Sequence, residues 1–186
     1  MKIVVAITGA TGAPLAYKVL SLLKEQRVEV HLIISDWAEK TISIESDKSV
    51  ADFKALSDVV YTYDNMAASI SSGSFLVDAM IIVPCSMKTL ASISHGLADN
   101  LISRAADVMI KEGRDLVLSV RETPLSAIHL RNMLSLAELG VKICPPMPAF
   151  YNQPQNIDDI LTHSAVKILD LLKIYSPKAK RWGTRS

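Results

Sequence analysis

The chain has 186 residues, enough for one compact domain that buries about 70% of the surface its unfolded form exposes. Lysine and arginine number 20 against 19 acids, and the resulting charge of +1 gives no global field for nucleic acid or an anionic membrane. Hydrophobic residues reach 49% with only 5% aromatic and a mean hydropathy of +0.27, an apolar excess that points to subunit contacts.

In chain order, "KIVVAIT" (2–8), "EVHLIIS" (29–35), "AMIIVPC" (79–85), "DLVLSV" (115–120) and the shorter "VKICP" (141–145) read as strands. Most are continuous and β-branched rather than alternating, as strands covered on both faces are. Helical stretches fall near 13–26, 36–44, 86–94, 99–112, 126–138 and 157–173. Alternating strands and helices predict an α/β fold with a doubly wound, mostly parallel sheet and helices on both faces, in a single domain over 1–186. A serine-rich loop, "AASISSGSF" (67–75), and a basic tail from about 175 to 186 complete the chain. No apolar run reaches about 18 residues and no secretory leader is visible, so a cytoplasmic protein with no membrane contact is expected.

The first strand runs into "AITGATGAPLAYKVL" (6–20), a glycine turn opening a helix, which is the layout of an anion site. Asp36 ends the next strand roughly where an acid grips a ribose, yet Leu15 stands where a dinucleotide fingerprint needs its third glycine, and Pro14 simply suits a first helical turn. At this stage the turn is either an anion site of unspecified ligand or a tight turn with none. Gly9 to Gly12, Ser35, Ser86 to Thr89 and Arg121 to Glu122 all fall just past strand ends, so four loops converge on one crevice. Ser86 and Thr89 serve equally as helix caps or ligand contacts. In "DNLISRAADVMIKEG", Arg104 and Lys111 share a helix face with Asp107 between them, as a solvated charged stripe or as a cationic wall for a phosphate. Cys85 and Cys144 each touch a proline and read as small buried residues, and the histidines at 31, 95, 129 and 163 lack metal-ligand spacing, so no metal is expected.

Taken together, "TGATGAP", "SGSF", "VPCSMKTLASI", "NLISRAADVMIKEGRDLVL", "RETPLSAIHLRNM", "PPMPAFYNQP" and "RWG" closely resemble the UbiX-like flavin prenyltransferase family, from residue 2 to about 183. The resemblance implies a flavodoxin-like, FMN-binding homo-oligomer, usually a dodecamer of trimers, with its site at a subunit junction. Its implied product is prenylated FMN for a UbiD-type decarboxylase, with dimethylallyl phosphate as donor. Carried over residue by residue, Gly9, Ala10, Thr11, Ser35, Ser86, Met87, Lys88, Thr89 and Arg121 fall on the family's flavin contacts. Arg104, Lys111, Tyr151 and Lys167 fall on its contacts to the substrate phosphate, and Glu45 and Glu122 on acids implicated in proton handling. Lys111 and Thr11 also count among the expected catalytic groups. Thr11 replaces a frequent serine and keeps the hydroxyl, while Lys167 replaces a frequent arginine and loses the bidentate fork.

These residue types suit the chemistry. A departing phosphate needs cations, and the only adjacent acid pair, Asp158 and Asp159, lacks the second half of an aspartate-rich magnesium motif, so Arg104, Lys111, Lys167 and Tyr151 are expected to act without metal. Glu122 either moves a proton or pairs with Arg121 to hold its loop. The alternatives are an FMN-dependent decarboxylase subunit, such as a cysteine decarboxylase or a decarboxylase of hydroxyaromatic acids, and a non-catalytic flavin carrier. "PCSMKT" and "RETPLSAIHL" stand where the cysteine enzymes typically carry other motifs.

Overall fold

The computed structural model describes residues 1–179 and 181–183; residue 180 and residues 184–186 of the expected tail lie outside the described residues. Six strands form one sheet in the order β3-β2-β1-β4-β5-β6, and every pairing is parallel. They are β1 (Lys2–Ile7), β2 (Glu29–Ile34), β3 (Val59–Tyr61), β4 (Ala79–Cys85), β5 (Asp115–Val120) and β6 (Lys142–Ile143). The helices are α1 (Ala13–Glu25), α2 (Asp36–Glu45), α3 (Val50–Lys54), α4 (Met87–Ser94), α5 (Leu101–Lys111), α6 (Ala127–Glu138) and α7 (Ile157–Asp170). From β1 the chain winds outward through β2 and β3, and from β4 it winds the other way through β5 and β6. That reversal opens a crevice beyond the carboxyl ends of β1 and β4.

Alternate residues of each central strand feed two separate cores. Ile3, Val5 and Ile7 join Leu20 and Leu23 of α1 and Ile168 and Leu169 of α7 on one face. Val4 and Ala6 join Leu90 of α4 and Ala105 and Met109 of α5 on the other. Burial on both sides explains why these strands are unbroken apolar runs. Leu20 and Leu22 are fully buried, and truncating either to alanine should cost about 2–5 kcal/mol through the cavity left behind.

The expected strands and helices are present with end shifts of a few residues, and the fully parallel sheet sharpens the expectation of a mostly parallel one. Two elements were not expected: α3, and the three-residue edge strand β3. The strand expected over 141–145 shrinks to Lys142–Ile143. Cys144 N–H still donates to Leu118 O at 2.8 Å, but Pro145 and Pro146 have no N–H to continue the ladder. The serine-rich loop holds a single 3₁₀ turn, Ser69–Ser71.

Candidate active site

The crevice is fastened from below by Thr8, a buried residue just past β1. Its hydroxyl donates to Pro84 O at 2.8 Å and accepts from Ser86 N–H at 2.8 Å, which ties the β1 loop to the β4 loop. Above it the glycine turn is shaped by two close approaches. A Cβ on Gly9 would stand 2.5 Å from Trp37 Cβ, and Gly12 has φ +131°, a conformation side-chain-bearing residues rarely adopt.

The amides at the start of α1 are already engaged. Glu45, the last residue of α2, places Oε2 at 2.8 Å from Gly12 N and 3.0 Å from Ala13 N. The anion on this helix N-terminus is thus the chain's own carboxylate, and a ligand phosphate must use other donors. Among the described residues nothing pairs with the Thr11 amide or hydroxyl, or with the side chains of Lys88 and Arg121. Ser86 caps α4, accepting from Thr89 N–H at 3.3 Å and donating to the Thr89 hydroxyl at 3.1 Å. Ser35 caps α2 in the same way, accepting from Ala38 N–H at 3.2 Å. Met87, the first residue of α4, is half-buried against the core on that face of the sheet. Gly9, Ala10, Thr11, Ser35, Ser86 to Thr89 and Arg121 therefore do meet around one crevice. The open Thr11 donors, the α4 N-terminus and the unpaired Arg121 guanidinium fit a phosphate-bearing ligand.

Glu122 is exposed beside Arg121, and its Oε1 accepts from Thr123 N–H at 3.0 Å. Among the described residues it makes no ion pair with Arg121, so the loop-holding alternative is not what the structure contains.

Lys111 of α5 lies elsewhere in the same chain. All strands start at one edge of the sheet, and Lys111 ends α5 just before β5 begins. It therefore sits at the edge opposite the crevice, about 16 Å along an 11-residue helix. Arg104 donates through Nη1 to Asp107 at 2.8 Å and through Nε to Ser71 O at 3.0 Å. Lys111 pairs with Glu112, whose carboxyl is thereby held below its usual range.

Tyr151 and Lys167 form a third group on the flank of α7. They share a cavity of about 380 Å³ with His163, Asp170, Arg181 and Trp182. The Tyr151 ring meets His163 and Trp182 edge-on, each at 5.4 Å. Arg181 forks onto Asp170 with two contacts of 2.7 Å and so ties the tail to α7. A different cavity, of about 260 Å³, is lined by Asp36, Glu39, Asp64, Tyr61, Tyr63 and Lys54, and with Lys54 paired to Glu39 its three acids leave a net negative set that does not suit a phosphate.

Cys85 is fully buried, and burial pushes its thiol up to about 12, which leaves it inert. Partial burial also raises Cys144, against the opposing field of Lys167. Among the described residues no group of three or more His, Cys, Asp or Glu is placed to hold a metal ion, and no helix is long and apolar enough to cross a membrane.

A parallel sheet with open anion donors at its switch point defines a nucleotide-type binding fold. The family model described as Flavoprotein matches residues 1–173. A probable UbiX-like flavin prenyltransferase of Streptomyces sp. (strain D7) is 55% identical over 184 residues, 98% of this chain and 92% of the relative. The dodecameric FMN-dependent UbiX-like decarboxylase from Escherichia coli O157:H7 superposes with a TM-score of 0.97 at 53% identity, over 99% of this chain and 100% of that one. AnUbiX (PadA1), solved in complex with FMN and dimethylallyl pyrophosphate, gives 0.97 at 52% identity, over 100% of this chain and 98% of that one. The chain belongs to the flavoprotein family and, within it, to the UbiX-like flavin prenyltransferases.

Proposed function

We propose that this protein transfers a dimethylallyl group from dimethylallyl phosphate to N5 and C6 of reduced FMN, making prenylated FMN for a UbiD-type aromatic acid decarboxylase in the cytoplasm. One observation carries the reading: the chain matches, over its whole length, a structure solved with FMN and a dimethylallyl donor, and its own crevice holds open anion donors where such a ligand would sit. Reduced FMN, when bound, supplies the nucleophilic N5 and C6.

The chain's residues do the rest. Thr11, Arg121 and the capped start of α4, with Ser86 and Thr89, hold the flavin phosphate, while Gly9, Ala10, Ser35, Met87 and Lys88 line the crevice. Arg104, Lys111, Lys167 and the Tyr151 hydroxyl receive the leaving phosphate. Charge-assisted hydrogen bonds contribute about 1.5–3 kcal/mol each, and they strengthen as charge develops on the bridging oxygen. Glu122, exposed and not paired with Arg121, passes a proton at the crevice mouth. Glu45 holds α1 through Oε2, which leaves Oε1 to exchange a proton.

The protein acts as a homo-oligomer, a dodecamer in this reading. Lys111 and the crevice lie at opposite edges of one sheet, so a neighbouring copy brings its own Lys111 to this crevice. Ile128, Leu130 and Leu134 of α6 are 65%, 52% and 59% exposed, an apolar surface suited to that contact.

The E. coli relative's description as a decarboxylase favours a second reading, in which the protein removes carboxyl groups itself. One experiment separates the two. The reduced FMN-loaded protein is incubated anaerobically with dimethylallyl mono- or diphosphate and no added divalent metal, and the extracted flavin is weighed by mass spectrometry. A flavin heavier by one dimethylallyl unit, with phosphate or diphosphate released, is expected. An unchanged flavin, together with direct decarboxylation of a hydroxybenzoate, would overturn the proposal.

A further inference from the structure

The phosphate-binding lysine does not stand alone. Arg114, with its side chain 15% exposed, donates from Nη2 to Gly73 O at 2.6 Å and from Nη1 to Phe75 O at 3.1 Å, clamping the serine-rich loop against the end of α5. The clamp seats Gly73 against the Glu112 carboxylate so closely that a Cβ at Gly73 would overlap it and stand 2.9 Å from Lys111 Nζ. Glu112 in turn pairs with Lys111 and lies 3.9 Å from Arg114 Nη2.

We propose that Gly73, Arg114 and Glu112 form a holder that sets the position of the Lys111 ammonium, with Glu112 as a positioning residue for substrate phosphate. The inference rests on the reading of Lys111 as a phosphate ligand. A lysine stem is long and loses much rotamer freedom when its ammonium is fixed, so fixing it before binding strengthens the phosphate contact. Glu112 takes one of the three ammonium hydrogens and leaves two for phosphate oxygens. A carboxylate alone would cancel the lysine's charge, but Arg114 beside it keeps the trio at a net positive charge. Gly73 is the gauge of the arrangement, because any side chain there displaces the flexible carboxylate without disturbing a buried core.

Gly73→Ala and Glu112→Gln test the holder in the FMN-loaded oligomer. Each should lower kcat/KM for dimethylallyl phosphate about fivefold while FMN affinity stays within about twofold. Neither should have any further effect in a Lys111→Ala background, since both act through that side chain. Independently of turnover, acetylation of Lys111 by acetic anhydride, followed by peptide mass spectrometry, should run about threefold faster in both variants as the side chain is released from the Glu112 carboxylate and becomes more accessible. Unchanged kcat/KM and unchanged labelling would overturn the holder, as would losses that persist in the Lys111→Ala background. If the wild type itself fails to turn over, prenyl transfer is the reading that fails, and the labelling rates alone decide the holder.

Discussion

The crevice and the end of α5 are built on opposite plans. Around the crevice, donors from four loops stand on strands buried on both faces, and Thr11, Lys88 and Arg121 are left open to a ligand. At α5 the cations are already paired with the chain's own acids, Arg104 with Asp107 and Lys111 with Glu112. In the proposed function the crevice is the flavin receptor, and the α5 cations are a surface offered to a neighbouring copy. Pre-paired charges are held in place yet remain at the protein surface, where an incoming phosphate can reach them.

The comparison breaks most completely if the chains are separated. Leu134→Glu puts a charge into the exposed apolar surface of α6 and should dissociate the oligomer, lowering turnover by at least about 100-fold, because an unpaired charge buried in an interface costs several kcal/mol. Light scattering alongside a turnover assay checks this, and an intact assembly would place the contact elsewhere. Next in size, Lys111→Ala should lower kcat/KM for dimethylallyl phosphate by about 100-fold while FMN affinity stays within about twofold. Equal losses of flavin binding and turnover would erase the distinction between the two regions.

Thr8→Val attacks the receptor instead. It removes the hydroxyl that joins Pro84 O and Ser86 N–H, so FMN affinity should fall about tenfold and stability by about 1–3 kcal/mol, read by flavin titration and thermal melting. The smallest effect is chemical silence. Because its thiol is pushed up to about 12, Cys85 should resist iodoacetamide at pH 8 in the folded protein, while the less buried Cys144 reacts slowly. Rapid labelling of Cys85 would show that the floor of the crevice opens.

Much of the receptor was legible in the sequence, because strands such as "KIVVAIT" and "AMIIVPC" are apolar throughout and the polar residues after them stand out. The edge strand β3 was not, since three residues with exposed Val60 carry no periodic signal. Thr8 was also hidden: it reads as one more β-branched strand residue, and its partners lie 76 and 78 positions away. The glycine turn read as an anion site or as a tight turn with no ligand, and Glu45 fills the α1 amides from a distance that no local motif encodes. "RAADV..KE" contained both acids of the α5 pairs, yet only the folded loop shows Gly73 pressed against Glu112.

A site shared between copies is tested most directly by mixing two inactive chains. Arg121→Ala cripples the crevice and Lys111→Ala cripples the α5 surface, and each homogeneous oligomer should be nearly inert. Co-expressed at equal levels, they should regain about a quarter of wild-type turnover, because random assembly leaves that share of junctions with an intact crevice facing an intact lysine. A mixed oligomer as inert as its parents would show that crevice and lysine serve the same chain.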